Sequence, residues 1–198
     1  ILMARAVVVP LYPASTGARV RQIIAHSGAR HIIAEDPLQV EKILPLLEGK
    51  KRSLEAAIFL EAACMGVASS HASLHIEELD GANQLLASGH LLDFDGLMVR
   101  GRRLLASSPE AVTERRLASA SSDLATLVYT SGTTGHPLGV HLTHRHILSE
   151  VEALHAMKLM DRHDVHLMAL PLAHIFARVV LWAGVCSGFE TAFSRGLH

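Results

Sequence analysis

The sequence predicts an α/β fold with a mainly parallel sheet flanked by helices, and three observations carry that reading. Short β-branched runs alternate with segments whose apolar residues recur at helical spacing. The connections between them are short, as strand–helix–strand units require. Hydrophobic residues make up 49% of the 198, enough to cover both faces of such a sheet.

Taken in order, residues 5–11 read as a buried strand, because Val7, Val8 and Val9 are contiguous and β-branched. A helix is expected over 16–27. Val20, Ile23 and Ile24 share one face, and Gly28 stands where a C-cap belongs. His31–Ala34 reads as a second strand. Asp36 then caps a helix with Pro37 at its first position, and Pro45 ends or kinks it. Glu55–Leu60 is a third strand candidate. Residues 61–75 are small and polar and read as a loop, and Ile76–Ser88 as a helix. Residues 93–122 hold Gly, Ser, Pro and clustered arginines and read as loop. The expected organisation is therefore a strand–helix–strand subdomain at 1–92, a loop-rich connection at 93–122 and a third segment at 123–198. Within that segment Leu124–Tyr129 reads as a strand, Thr130–Val140 as a glycine-rich loop and Thr143–Lys158 as a helix. His166–Leu170 is a further strand, His174–Ala183 a helix, and Thr191–Phe193 starts another strand.

Composition narrows the function classes. A formal net charge of −1 and 4% aromatic residues argue against a nucleic-acid partner. Two cysteines, Cys64 and Cys186, do not make a disulfide scaffold and read as free thiols in a reducing compartment. No apolar run reaches the roughly 18 residues of a membrane span. A cytoplasmic location is expected, with peripheral membrane contact left open. The chain opens on an apolar run without an initiator methionine or a signal-peptide layout, as though cut inside a strand.

The chemistry concentrates in Tyr129-Thr-Ser-Gly-Thr-Thr-Gly-His-Pro-Leu-Gly-Val140. Gly132 and Gly135 open backbone angles closed to other residues and let N–H groups approach a ligand. Thr130, Ser131, Thr133 and Thr134 add four hydroxyls. Such a loop at the carboxyl end of a strand is a nest for phosphate oxygens. It is not the P-loop of kinases and GTPases, because His136-Pro137 follows Gly135 where that pattern needs Lys-Ser/Thr. An ordinary Ser/Thr/Gly loop is the alternative that these residues leave open.

The run resembles the signature of the adenylate-forming superfamily, Tyr-Thr-Ser-Gly-Thr-Thr-Gly-x-Pro-Lys-Gly-Val, at every defined position except Leu138. Asp123–Val128 before it and Leu142-Thr-His-Arg145 after it resemble acyl-CoA synthetases. Ala169-Leu-Pro-Leu-Ala-His-Ile-Phe-Ala-Arg178 resembles the second motif of the long-chain fatty-acid branch, and Ala6–Pro13 its first strand in this region. The resemblance spans nearly the whole chain and implies part of the large N-terminal domain of an AMP-forming acyl-CoA synthetase. It implies ATP and Mg2+ as cofactors, coenzyme A as cosubstrate and a fatty acid as partner. It also implies two steps, acyl-adenylate formation with loss of pyrophosphate, then displacement of AMP by the coenzyme A thiol. Thr130, Ser131, Gly132, Thr133, Thr134 and Gly135 map onto the phosphate-gripping loop. His174 maps onto the residue beside the acyl and adenylate site.

Leu138 stands where the superfamily has lysine. Its expected effect is weaker work on the leaving pyrophosphate, up to about 3 kcal/mol by analogy with an oxyanion donor. The superfamily's adenine-binding loop, ribose-holding aspartate and C-terminal lysine have no counterpart here, so the 198 residues alone are expected to be inactive. Two rivals follow: an adenylate-forming ligase for a different acid, and a non-catalytic nucleotide-binding or interaction protein derived from such an enzyme.

Other residues read more plainly. His141, His144 and His146 do not share one helix face, so no metal site is expected there. His163 and His166 beside Asp161 and Asp164 read as a solvated turn. Arg178, one helical turn after His174, reads equally as an anion contact or an ordinary ion pair. Trp182 reads as core rather than a substrate gate. Arg100, Arg102 and Arg103 read as a solvated loop cluster.

Overall fold

A computed structural model describes residues 1–48, 52–60, 81–130 and 137–194. Cys64, the expected loop at 61–75 and the first part of the expected helix at 76–88 lie outside them. The chain divides into two units. One is Pro13–Glu114, and the other joins Ile1–Tyr12 to Arg115–His198.

In the first unit, α1 (Gly17–Ser27) runs between two local signals. Thr16 accepts from the Arg19 amide through its side chain, and Gly28 closes the helix at φ +66°. That angle is left-handed, where glycine carries no Cβ penalty. Val20, Ile23 and Ile24 are its buried face. The expected helix from Pro37 is two pieces, α2 (Pro37–Glu41) and α3 (Leu44–Leu47), divided just before Pro45. Asp36 caps the first by accepting from the Gln39 amide at 2.9 Å. Three strands, β1 (His31–Ala34), β2 (Ala56–Phe59) and β3 (Leu91–Asp93), form a parallel sheet in that order. β3 is absent from the sequence reading, since three residues are too short to show a period. It forms because the Ala57 amide donates to the His90 carbonyl at 2.8 Å and Leu91 is buried at 1% exposure. The helix α4 covers Ala82–Ser88 and packs on β3.

Residues 93–122 are not a loop-rich connection. They hold α5 (Phe94–Ser107) and α6 (Ala111–Leu117). Asp93 caps α5, accepting from the Gly96 amide at 2.6 Å. The two glycines cost about 1 kcal/mol each, and the helix nonetheless forms, in contact with β2 and β3. Arg100, Arg102 and Arg103 are exposed on this helix rather than in a loop.

In the second unit, the expected strand at 5–11 contracts to one parallel bridge between Val8 and Thr126. Arg5 adopts a left-handed φ of 59°, and Pro10 has no amide to extend the ladder. β4 (Leu124–Thr130) then pairs antiparallel with β5 (Leu138–Thr143). Thr130 and Leu138–Val140 of the expected loop at 130–140 are therefore strand. α7 (His144–Ala156) follows directly, and Thr143 and His146 form a reciprocal cap. β6 (Val165–Met168) and β7 (Glu190–Phe193) pair in parallel on either side of α8 (Ile175–Ser187). Val151 of α7, Met168 of β6 and Ala177, Val180, Ala183 and Phe189 around α8 make a buried core. Gly184 lets the Phe189 ring in, since a Cβ there would stand 2.7 Å from its Cε2.

Candidate phosphate and acyl site

β4 begins buried and ends exposed: Ala125, Thr126 and Leu127 are in the core, and Thr130 faces solvent. Its partner β5 starts at Leu138. The register sets Thr130 opposite Leu138, Tyr129 opposite Gly139 and Val128 opposite Val140. The hairpin thus holds the two ends of the glycine-rich run side by side. Of the six residues mapped onto the phosphate-gripping loop, Thr130 is among the described residues; Ser131, Gly132, Thr133, Thr134 and Gly135 lie outside them.

The ladder explains a glycine that sequence reasoning left aside. A Cβ on Gly139 would lie 3.1 Å from Cζ of Tyr129. The tyrosine ring lies across the glycine on the neighbouring strand, so the first and next-to-last defined residues of the motif are a packed pair. Leu138 is 56% exposed at the mouth of the hairpin. The missing lysine is thus not replaced by a core residue.

His174 is exposed at the N-cap of α8, and its Nδ1 accepts from the Phe176 amide at 3.3 Å. That bond orients the ring. The helix beneath it is buried through Ala177, Arg178, Val179 and Val180. Arg178 ties this helix to the hairpin: its Nη1 donates to Oγ1 of Thr126 at 2.9 Å. Thr126 in turn donates to the Val8 carbonyl at 2.7 Å. The second motif is thereby fastened to the strand that feeds the first, four residues before Thr130. Burial pushes the Arg178 pKa below its ordinary value, opposed by Tyr12. Trp182, one turn further, is half-buried with its ring centroid 5.8 Å from the guanidinium carbon. Thr126 is the residue that no local sequence signal singled out.

The histidines fall elsewhere. His141 is on β5, while His144 and His146 open α7, and His146 is engaged in the cap. Asp161 and Asp164 fold a turn: the Asp161 amide donates to Asp164 Oδ2 at 2.6 Å and the His163 amide to Asp161 Oδ1 at 3.0 Å.

A family model described as AMP-binding enzyme matches residues 1–198. The human long-chain-fatty-acid–CoA ligase ACSBG2 is 26% identical over 196 residues, covering 98% of this chain and 26% of that protein. The Mycobacterium tuberculosis ligase FadD15 is 29% identical over 202 residues, covering 100% of this chain and 28% of that protein. Fatty acyl-CoA synthetase A of Dictyostelium discoideum reaches 45% identity over 76 residues, 38% of this chain and 11% of that protein. The chain therefore spans about a quarter of the length of the first two relatives. Among solved structures, the Vibrio cholerae adenylation domain AlmE superposes with a TM-score of 0.62 at 12% identity, covering 97% of this chain and 32% of that one. The Archaeoglobus fulgidus long-chain-fatty-acid-CoA ligase FadD1 gives 0.56 at 18% identity, covering 92% and 29%. At such identities the superpositions establish the fold.

Proposed function

The chain belongs to the AMP-binding enzyme family, and from that membership we propose that it forms the phosphate-gripping part of a fatty-acid–CoA ligase. In the proposed reaction an acid carboxylate attacks the α-phosphorus of ATP. The bond to the β-phosphate oxygen breaks, pyrophosphate leaves and acyl-adenylate remains. The coenzyme A thiol then attacks the acyl carbon, and AMP departs with the electron pair of the acyl–oxygen bond. Thr130 to Gly135 would present backbone N–H groups and hydroxyls to the β- and γ-phosphates, taking up charge as pyrophosphate leaves. Mg2+ would enter with those phosphates, and none of the described residues is assigned to it. His174 would lie against the acyl-adenylate with its Nε2–H free to donate, since Nδ1 accepts from the Phe176 amide. Long-chain fatty acids are favoured as substrates by the second motif and by the ligases this chain resembles.

The observation that carries the reading is the pairing of Thr130 with Leu138. It anchors both ends of the Ser/Thr/Gly run at the exposed end of a buried strand, the place where α/β folds receive phosphates.

The test is calorimetric titration of the 198-residue chain with Mg·ATP and with Mg·pyrophosphate. Both are expected to bind, and to weaken about tenfold or more when Thr133 and Thr134 are both replaced by alanine, since hydrogen bonds to charged groups are lost. No binding by the unaltered chain would overturn the phosphate role. The exposed, uncharged Leu138 favours a second reading, nucleotide binding without turnover. Acid-dependent ATP–pyrophosphate exchange by a full-length protein that carries this segment separates the two, since only the ligase reading produces it. Exchange with aryl or amino acids in place of fatty acids would transfer the assignment to another adenylate-forming ligase.

A further inference from the structure

The helix α5 presents an apolar face that its own packing leaves uncovered. Gly96 and Leu97, near its start, are half-buried where it meets β2 and β3, and every residue from Met98 to Ser107 is exposed. Phe94, Met98, Leu104 and Leu105, with Gly101 between them, share one side of the helix. They are 37%, 44%, 54% and 44% exposed. At about 100° per residue they make a stripe about 120° wide, bordered about 40° further on by Arg100 on one side and Arg102 on the other. Arg103 lies across the helix from the stripe. None of the ion pairs among the described residues uses any of these arginines. Within α5 the three face one acid, Asp95, in a chain whose formal net charge is −1. The positive charge is therefore local to this helix.

An exposed apolar stripe edged by cations suits the boundary of a bilayer, with apolar side chains among the acyl chains and guanidinium groups among the lipid phosphates. We propose that α5 docks on an anionic phospholipid surface. Charge complementarity selects this occupant, because Arg100 and Arg102 can lay their stems along the stripe and keep their charges at headgroup level. A second copy of this chain, meeting the same face about a two-fold axis, would bring arginine against arginine. A protein groove that wraps a helix needs most of its circumference, and β2 and β3 already hold one side of α5. A flat surface needs only the open side. No helix among the described residues is long and apolar enough to cross a membrane, so the contact is made from the surface. The inference stands on this helix and does not use the ligase reading.

The experiment sediments the 198-residue chain with vesicles of phosphatidylcholine containing about one-third phosphatidylserine. Pure phosphatidylcholine vesicles and vesicle-free protein run in parallel. Binding to the anionic vesicles is expected, and binding at least about tenfold weaker to the neutral ones. Salt near 1 M, where the Debye length is about 3 Å, should weaken it by a similar factor. Arg100→Gln, Arg102→Gln and Arg103→Gln combined are expected to weaken binding about tenfold or more. Leu105→Glu, at an exposed position, is expected to abolish binding and leave Tm nearly unchanged. Where a variant fails to fold, Met98→Trp reports instead. Its emission should be quenched by brominated acyl chains as the stripe enters the bilayer, against the background of Trp182, the one tryptophan in the sequence. No binding, equal binding to neutral vesicles, indifference to salt, or binding that survives in folded Leu105→Glu would each overturn the proposal. An unquenched Met98→Trp on bound vesicles would place the contact elsewhere and overturn it too. Dimers that Leu105→Glu dissolves, without any vesicle binding, would give the face to a second copy.

Discussion

At the residue scale, Asp123 shows how a motif flank is held. Its carboxylate accepts from the Ala120 amide at 3.0 Å and from Arg5 Nη2 at 3.1 Å. Those contacts, the backbone bond first, lower its pKa below the ordinary value. The folded state therefore binds this proton less readily than the unfolded chain. The stabilisation is complete above the unfolded value of roughly 3.9 and is lost as pH falls through the lower folded value. Asp123→Asn is expected to lower Tm at pH 7, with the gap to the parent closing in acid; thermal melts across pH check it, and a gap constant with pH would contradict it. Leu138 makes the second residue-scale case. Because it is 56% exposed, a lysine there keeps its ammonium in water. Leu138→Lys should change stability by less than about 0.5 kcal/mol. Pyrophosphate affinity, measured by calorimetry, should rise, and an unchanged affinity would show that the position works on no phosphate.

At the element scale, two helices were legible in their caps: Gly28 closes α1, and Asp36 with Pro37 opens α2. α5 was missed because Gly96, Gly101 and three arginines look like a loop, while its cap residue Asp93 belongs to a strand too short to notice. The glycine-rich run was recognised, but all of Thr130–Val140 was read as loop, including Leu138–Val140, which lie in β5. Whether Leu138–Thr143 is strand depends on β4 lying alongside, a contact that local sequence does not contain. The cap of α7 gives the element-scale prediction. Thr143 Oγ1 accepts from the His146 amide and His146 Nδ1 accepts from the Thr143 amide. Thr143→Ala removes one side of that exchange and should cost about 1 kcal/mol, read from urea unfolding. No loss would mean that the helix start is held by β5 instead.

At the scale of the whole molecule, the chain is two units, and the sequence suggested a different division. The composition shift at 93–122 looked like a boundary, whereas the compact unit is Pro13–Glu114 and the residues before it belong with those after it. The Val8–Thr126 bridge is why: it hands the first residues to β4, 118 positions away. Since Pro13–Glu114 is contiguous and contains its own three-stranded parallel sheet, that segment expressed alone should unfold cooperatively with a mixed α/β circular dichroism spectrum. A featureless, non-cooperative melt would show that it depends on the rest of the chain. Neighbouring residues carry the α/β class, the Gly28 and Asp36 caps, the motif at 129–140 and the family, because periodicity, capping and a phosphate-binding loop are written locally. The tertiary structure alone decided that β5 pairs with β4, that Tyr129 covers Gly139, and that Arg178 reaches Thr126. Each of these joins residues on different elements, and a hydrogen bond between elements is chosen by how they pack and not by the local pattern of either one.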